Sequence, residues 1–176
     1  NQLEPKYGER TYVTMEYVEG GTLRAWMNSQ PDDVEVALNV AIQMCEAVAH
    51  AHSMEPPIVH RDLKPENILF DRKCDAQRVR VADFGLAAPI SRLTETVDAG
   101  GTLLYMSPEG LDGYEIPASD VYSLGLILFE IFAGCMPYRL KNIPEGASAR
   151  QIKLLLAEWQ RGPLEPPSYF NQKVTP

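Results

Sequence analysis

His60-Arg61-Asp62-Leu63-Lys64-Pro65-Glu66-Asn67, followed 21 residues after Asp62 by Asp83-Phe84-Gly85, is the stretch on which the reading of this 176-residue chain turns. Taken singly, Asp, Asn and Pro are turn residues favoured for local reasons, and a tripeptide such as Asp-Phe-Gly arises by chance in a chain this long at roughly a few per cent. Together they place a carboxylate acceptor (Asp62), a lysine two residues on (Lys64) and two oxygen donors (Asn67 and Asp83) in one short span. Phosphoryl transfer asks for those parts: an acceptor near the attacking hydroxyl, oxygen ligands for Mg2+, and a mobile point charge that reaches the transferred phosphate.

Outward from this stretch, Asn67 to Phe70 and Arg78 to Ala82 read as two extended pieces joined by the polar segment Asp71 to Gln77, a hairpin. Upstream, Val34, Leu38, Ala41, Cys45, Val48 and His52 recur at four- and three-residue steps, which predicts one face of a helix from about Asp33 to Ser53. Glu55-Pro56-Pro57 ends it, since proline donates no amide hydrogen bond and pushes its predecessor toward extended geometry. His50 and His52 are two apart, so they face different ways, cannot share a metal as an i, i+4 pair would, and are expected to pack. Tyr12 to Tyr17 reads as a strand running into the turn at Glu19-Gly20-Gly21. Asp120 to Phe132 is apolar nearly all round, predicting a helix buried on most sides with Asp120 suited to cap its first amides. Ser148 to Gln160 carries a weaker helical pattern, and the proline-rich tail from Gly162 shows no terminating element.

A hydrophobic content of 45% with 23% charged residues fits one globular domain and excludes collagen-like and disordered classes. No stretch reaches the roughly 18 apolar residues of a membrane-spanning helix. Cys45, Cys74 and Cys135 lack the paired spacing of zinc or redox motifs and read as reduced thiols. A net charge of -8 argues against general affinity for nucleic-acid phosphates.

The ordered set HRDLKPEN, DFG, Gly101-Thr102 and Ser107-Pro108-Glu109 resembles the eukaryotic-type serine/threonine protein kinase family. The resemblance implies a mainly α fold with a short β-hairpin: the C-terminal lobe of the α+β protein kinase-like fold, with the N-terminal lobe absent. Residues 1–176 would form a partial kinase domain, 1–21 being the last N-lobe strand and hinge and 22–176 a C-lobe truncated before its final helices. Asp62, Lys64 and Asn67 are then the expected catalytic residues, and Asn67 and Asp83 the metal ligands. Met15 would be the gatekeeper, Glu16, Tyr17 and Val18 the hinge that offers backbone groups to adenine, and Leu69 the side chain beneath the base. Thr102 and Glu109 would position substrate, and Asp120 would hold the catalytic-loop backbone. The implied cofactors are ATP and Mg2+, with Mn2+ as the alternative ion.

Lys64 within DLKPEN, together with Gly101-Thr102, is similar to kinases acting on serine or threonine hydroxyls rather than tyrosine. Arg61 is expected to pair with Asp98 or with phosphorylated Thr94 or Thr96, two threonines that resemble those autophosphorylated by bacterial receptor-type kinases. The lineage leans bacterial on Thr94 and Thr96, Ser107 and the Pro56-Pro57 lead-in. Before the hinge there is no G-x-G-x-x-G and no strand lysine, so this segment is expected to be inactive without an N-lobe. The expected partners are ATP and a protein substrate, with no nucleic acid and no membrane within the segment. The expected location is the cytoplasm, with any anchor of the parent chain outside the segment. The competing class is a pseudokinase or scaffold that uses the fold for binding. A small-molecule phosphotransferase is disfavoured by the segment from Gly101 to Glu109.

Overall fold

Asp33 opens the longest helix among the described residues, and the neighbours of that helix define the architecture. A computed structural model describes residues 14–29, 33–72, 78–84, 103–114, 116–138, 143–144 and 146–174. In chain order the elements are α1 (Leu23–Asn28), α2 (Val34–His52), a 3-10 turn (Pro65–Asn67), β1 (Ile68–Asp71), β2 (Arg78–Val81), α3 (Pro108–Leu111), α4 (Pro117–Ala133), α5 (Ala149–Trp159) and α6 (Pro167–Phe170). The fold is mainly α with one two-stranded antiparallel hairpin, as the sequence predicts.

Helix α2 begins where expected because Asp33 Oδ1 accepts from the amides of Glu35 (3.0 Å) and Val36 (3.1 Å), satisfying two donors of the open first turn. Its inward face matches the expected one only in part, at Ala41 and Val48. Ala37, Val40, Ala41, Met44, Val48 and Ala51 are buried, whereas Val34 and Leu38 are 40% and 52% exposed and Cys45 is exposed. The sequence VEVALNVAIQMCEAVAHAH carries two overlapping apolar stripes. The one turned inward holds three alanines, which let β2 and α4 pack close to the helix axis.

The hairpin pairs Ile68 with Val81 and Asp71 with Arg78. The outer edge of β2 is closed by α2, where Gln43 Oε1 accepts from the Val79 amide at 3.0 Å. Along β1 runs the linker before α1: Gly20 N donates to Phe70 O (2.8 Å), Phe70 N donates to Gly21 O (2.9 Å), and Thr22 bridges Leu69. Gly20 is needed for this approach, since a Cβ there would sit 2.0 Å from Phe70 O. Of the strand predicted at Tyr12 to Tyr17, the described part, Thr14 onward, joins no ladder among the described residues; backbone pairing of the linker begins at Gly20.

Helix α4 lies against α2 and also carries α6. It starts three residues before Asp120, with Pro117 in the first turn and Ser119 Oγ accepting from the Ile116 amide at 3.3 Å. Asp120 therefore does not cap it. As expected, α4 is buried on most sides, with Val121 (58% exposed) and Gly125 on its open side. Gly134 ends it in the left-handed conformation, φ 74°. The tail does have a closing element: α6 places Phe170 edge-on to Phe129 at 5.9 Å, and Asn171 Nδ2 donates to Phe132 O at 2.9 Å. A single core joins Leu23, Val40, Met44, Leu63, Ile68, Leu103, Leu124, Ile127 and Leu156. Among the described residues no helix is long and apolar enough to cross a membrane.

Candidate active site

After α2 the chain must fold HRDLKPEN back onto the hairpin, and two fully buried polar side chains, His60 and Asp120, hold it there. Asp120 Oδ2 accepts from His60 N (2.8 Å) and Oδ1 from Arg61 N (3.0 Å). Arg61 is in the left-handed region, φ 73°, a conformation that costs a residue with a Cβ about 1–2 kcal/mol. The charge-assisted bonds to a buried carboxylate offset that strain. The ring of His60 has a defined tautomer: Nδ1 accepts from Asp62 N (3.2 Å), so the proton is on Nε2, which donates to Ala82 O (2.8 Å). The same ring packs on Phe84, with centroids 4.7 Å apart. His60 thus ties the turn to the end of β2.

The side chains expected to do chemistry converge on this frame. Lys64 Nζ is 2.8 Å from Asp62 Oδ2. Asn67, in the 3-10 turn, donates through Nδ2 to Asp62 O (2.8 Å) and to Asp62 Oδ2 (3.2 Å). Ala82 N donates to Asn67 O (2.8 Å), which sets Asp83 beside the turn, and Asp83 is itself left-handed at φ 63°. Because the Asn67 amide nitrogen is directed to Asp62, its Oδ1 is the atom suited to a cation. One carboxylate and one amide oxygen fit Mg2+, which draws its other ligands from water and phosphate. Among the described residues no three His, Cys, Asp or Glu side chains form a protein-only metal cage.

The remaining expected residues are more scattered. Met15 and Tyr17 are 64% and 77% exposed, Glu16 is exposed, Val18 is partly buried, and Leu69 is partly buried on β1 opposite the linker. Glu109 Oε1 accepts from Ser119 Oγ at 2.9 Å. Desolvation works to raise the pKa of Glu109, but bonds from its own amide and from the Ser119 and Ser107 hydroxyls outweigh it and hold the carboxyl below its ordinary range. Thr94, Thr96, Asp98 and Thr102 lie outside the described residues, and so does any pairing of Arg61 with them.

Two features escaped the sequence reading. His52, expected only to pack, brings Nε2 within 2.7 Å of Asp120 Oδ2, a third contact on that carboxylate. No local pattern marks it, since the two residues are 68 apart in sequence. The second is an ion network at the 3-10 turn: Arg24 Nε meets Glu66 Oε1 at 2.9 Å and Nη1 meets Glu130 Oε1 at 2.7 Å, while Tyr105 OH bonds both Arg24 and Glu130. Burial would lower the pKa of the guanidinium, but Glu130 and Glu66 overcome it and raise the value; burial and Glu130 both push that of the Tyr105 hydroxyl up. The network ties α1, the 3-10 turn and α4 to the segment that follows Thr102.

Comparison with known proteins bears on this geometry. The family model described as "Protein kinase domain" matches residues 5–173. The chain is similar to serine/threonine-protein kinase PrkC of Bacillus subtilis, 40% identical over 147 residues, which are 81% of this chain and 21% of that protein. It is similar to a putative mitogen-activated protein kinase kinase kinase 7-like protein of Drosophila melanogaster, 35% identical over 164 residues, 90% of this chain and 40% of that one. Serine/threonine-protein kinase PknB of Mycobacterium leprae is 37% identical over 142 residues, 78% of this chain and 22% of that protein. The chain therefore spans about a fifth to two fifths of the length of these curated relatives.

Proposed function

Since this chain belongs to the protein kinase domain family, we propose that its parent protein transfers the γ-phosphoryl group of ATP to serine or threonine hydroxyls of a protein substrate. The observation that carries this reading is the convergence of Lys64 Nζ and Asn67 Nδ2 on the Asp62 carboxylate, with Asp83 set next to them through Ala82. In this role Asp62 orients the substrate hydroxyl and accepts its proton. Lys64 moves from Asp62 to the transferred phosphate, and Asn67 keeps the carboxylate aimed. Asn67 and Asp83 would hold Mg2+, which when bound supplies positive charge against the phosphates. Met15 to Val18 and Leu69 form the hinge and floor for adenine. Arg61 pairs with a charged activation-segment residue, Asp98 or phosphorylated Thr94 or Thr96, and Thr102 and Glu109 shape the peptide site.

In this reading residues 1–21 are the last N-lobe strand and hinge and 22–176 the C-lobe, so these residues alone lack the phosphate cover and strand lysine that position ATP. Positioning supplies most of the catalysis in this reaction class. The parent protein should label a serine- or threonine-containing substrate with Mg2+ and ATP, and Asp62→Asn should lower kcat by about two to four orders of magnitude. The 176 residues alone should label at background rate. Equal labelling by the parent and its Asp62→Asn variant would favour a non-catalytic scaffold; robust labelling by the isolated chain would remove the need for an N-lobe.

A further inference from the structure

Arg80 is a charged residue on the central part of the hairpin that the proposed chemistry does not use. Its position follows from the register: it lies directly across from Leu69, and cross-strand partners project to the same face, so Arg80, Leu69 and Asp71 share one side of the sheet. The opposite side carries Ile68 and Phe70 into the core. Asp71 is buried, with its side chain 3% exposed, and its Oδ2 receives both Nε and Nη2 of Arg80 at 2.8 Å. The third guanidinium nitrogen, Nη1, reaches out to Glu16 Oε2 of the linker at 3.3 Å.

The linker is thus tied to the hairpin at two separate points. Gly20 to Thr22 are held by backbone bonds to β1, and Glu16 by the side chain of Arg80. Between the ties lie Tyr17, Val18 and Glu19. We propose that Arg80 is a positioning residue for the nucleotide, bridging Glu16 of the linker to buried Asp71 so that the linker backbone stands at a fixed distance from the Leu69 face on which adenine rests.

This rests on the reading of the site as a kinase nucleotide site and adds a residue to it. The Glu16 end is solvent-exposed, and exposed pairs are individually weak. The guanidinium, however, is already oriented by two bonds to a buried carboxylate, so little freedom is lost in reaching Glu16. The effect should fall on nucleotide binding more than on turnover, because both side chains belong to the linker and the hairpin rather than to the stretch that carries Asp62.

The decisive variant is Glu16→Gln in the full-length parent, since it leaves the Arg80–Asp71 pair intact and so spares the fold. It should weaken binding of a non-hydrolysable ATP analogue about two- to fivefold, the range of an exposed ion pair. The KM for ATP should rise in parallel, while kcat and the KM for the protein substrate change less than twofold. Arg80→Gln should reproduce the nucleotide effect, and the double variant should be no weaker than Arg80→Gln alone, as for two residues acting through one contact. Unchanged analogue affinity in Glu16→Gln, or additive losses in the double variant, would overturn the proposal. Failure of the underlying kinase reading is separable, because it would show in the unmodified parent as absence of ATP-dependent labelling.

Discussion

Asp120 collects three donors on two oxygens: the amides of His60 and Arg61 and the ring of His52. An asparagine there has one acceptor oxygen and an NH2 group that would face a donor, so at least one buried N–H would lose its partner while Arg61 stays strained. Leaving such a group unsatisfied costs about 1–3 kcal/mol, more when a charged bond is lost. Asp120→Asn should therefore lower the unfolding free energy of the kinase domain in the parent protein by about 2–3 kcal/mol. His52→Gln, which can still donate, should lose about 1 kcal/mol or less. Urea unfolding of the two variants checks this ordering; a His52→Gln loss as large as that of Asp120→Asn would mean that the histidine, not the loop amides, anchors the carboxylate. The role of Asp120 was partly legible in the sequence. Reading it as a cap overlooked Pro117, which marks the first helical turn and leaves Asp120 a turn too late. The contact from His52 was not legible, because it spans 68 residues and only folding brings the two together.

At the scale of elements, boundaries were read better than faces. Asp33, Ser53, Ser148 and Gln160 flank helices within a residue of the expected ends, because capping chemistry is local and a cap residue names its own position. The hairpin was legible for a similar reason, two β-rich runs around a polar connection. The inward face of α2 was legible only at Ala41 and Val48, since both of its apolar stripes satisfy the helical period and only neighbours in space choose between them. That choice can be measured. Met44 is fully buried and Leu38 is 52% exposed. Met44→Ala should destabilise the domain by about 2–5 kcal/mol through lost burial and a residual cavity. Leu38→Ala should stay within about 0.5 kcal/mol, as surface changes do. Thermal or urea unfolding of the pair in the parent protein decides, and comparable losses at both positions would restore the face first read from the sequence.

Across the whole molecule the outer side of α2 becomes a property of the surface. Val34, Leu38 and Ile42 follow one another at four-residue steps and are 40%, 52% and 50% exposed, so they line one side of the helix. Scattered single apolar residues on a surface are ordinary, but a row that joins into a patch favours association. The net charge of -8 opposes close approach of two copies only weakly at moderate salt, where the Debye length is about 8–10 Å. Burying the row between molecules would remove apolar area worth about 25 cal/mol per Å2. The 176-residue chain purified alone should accordingly sediment as a concentration-dependent mixture of monomer and larger species, increasingly so as salt screens the charge. Leu38→Lys combined with Ile42→Gln should shift it to monomer without loss of helical circular dichroism, because neither residue belongs to the core. Association that persists undiminished in the double variant would place the sticky surface elsewhere on the lobe, away from the outer face of α2.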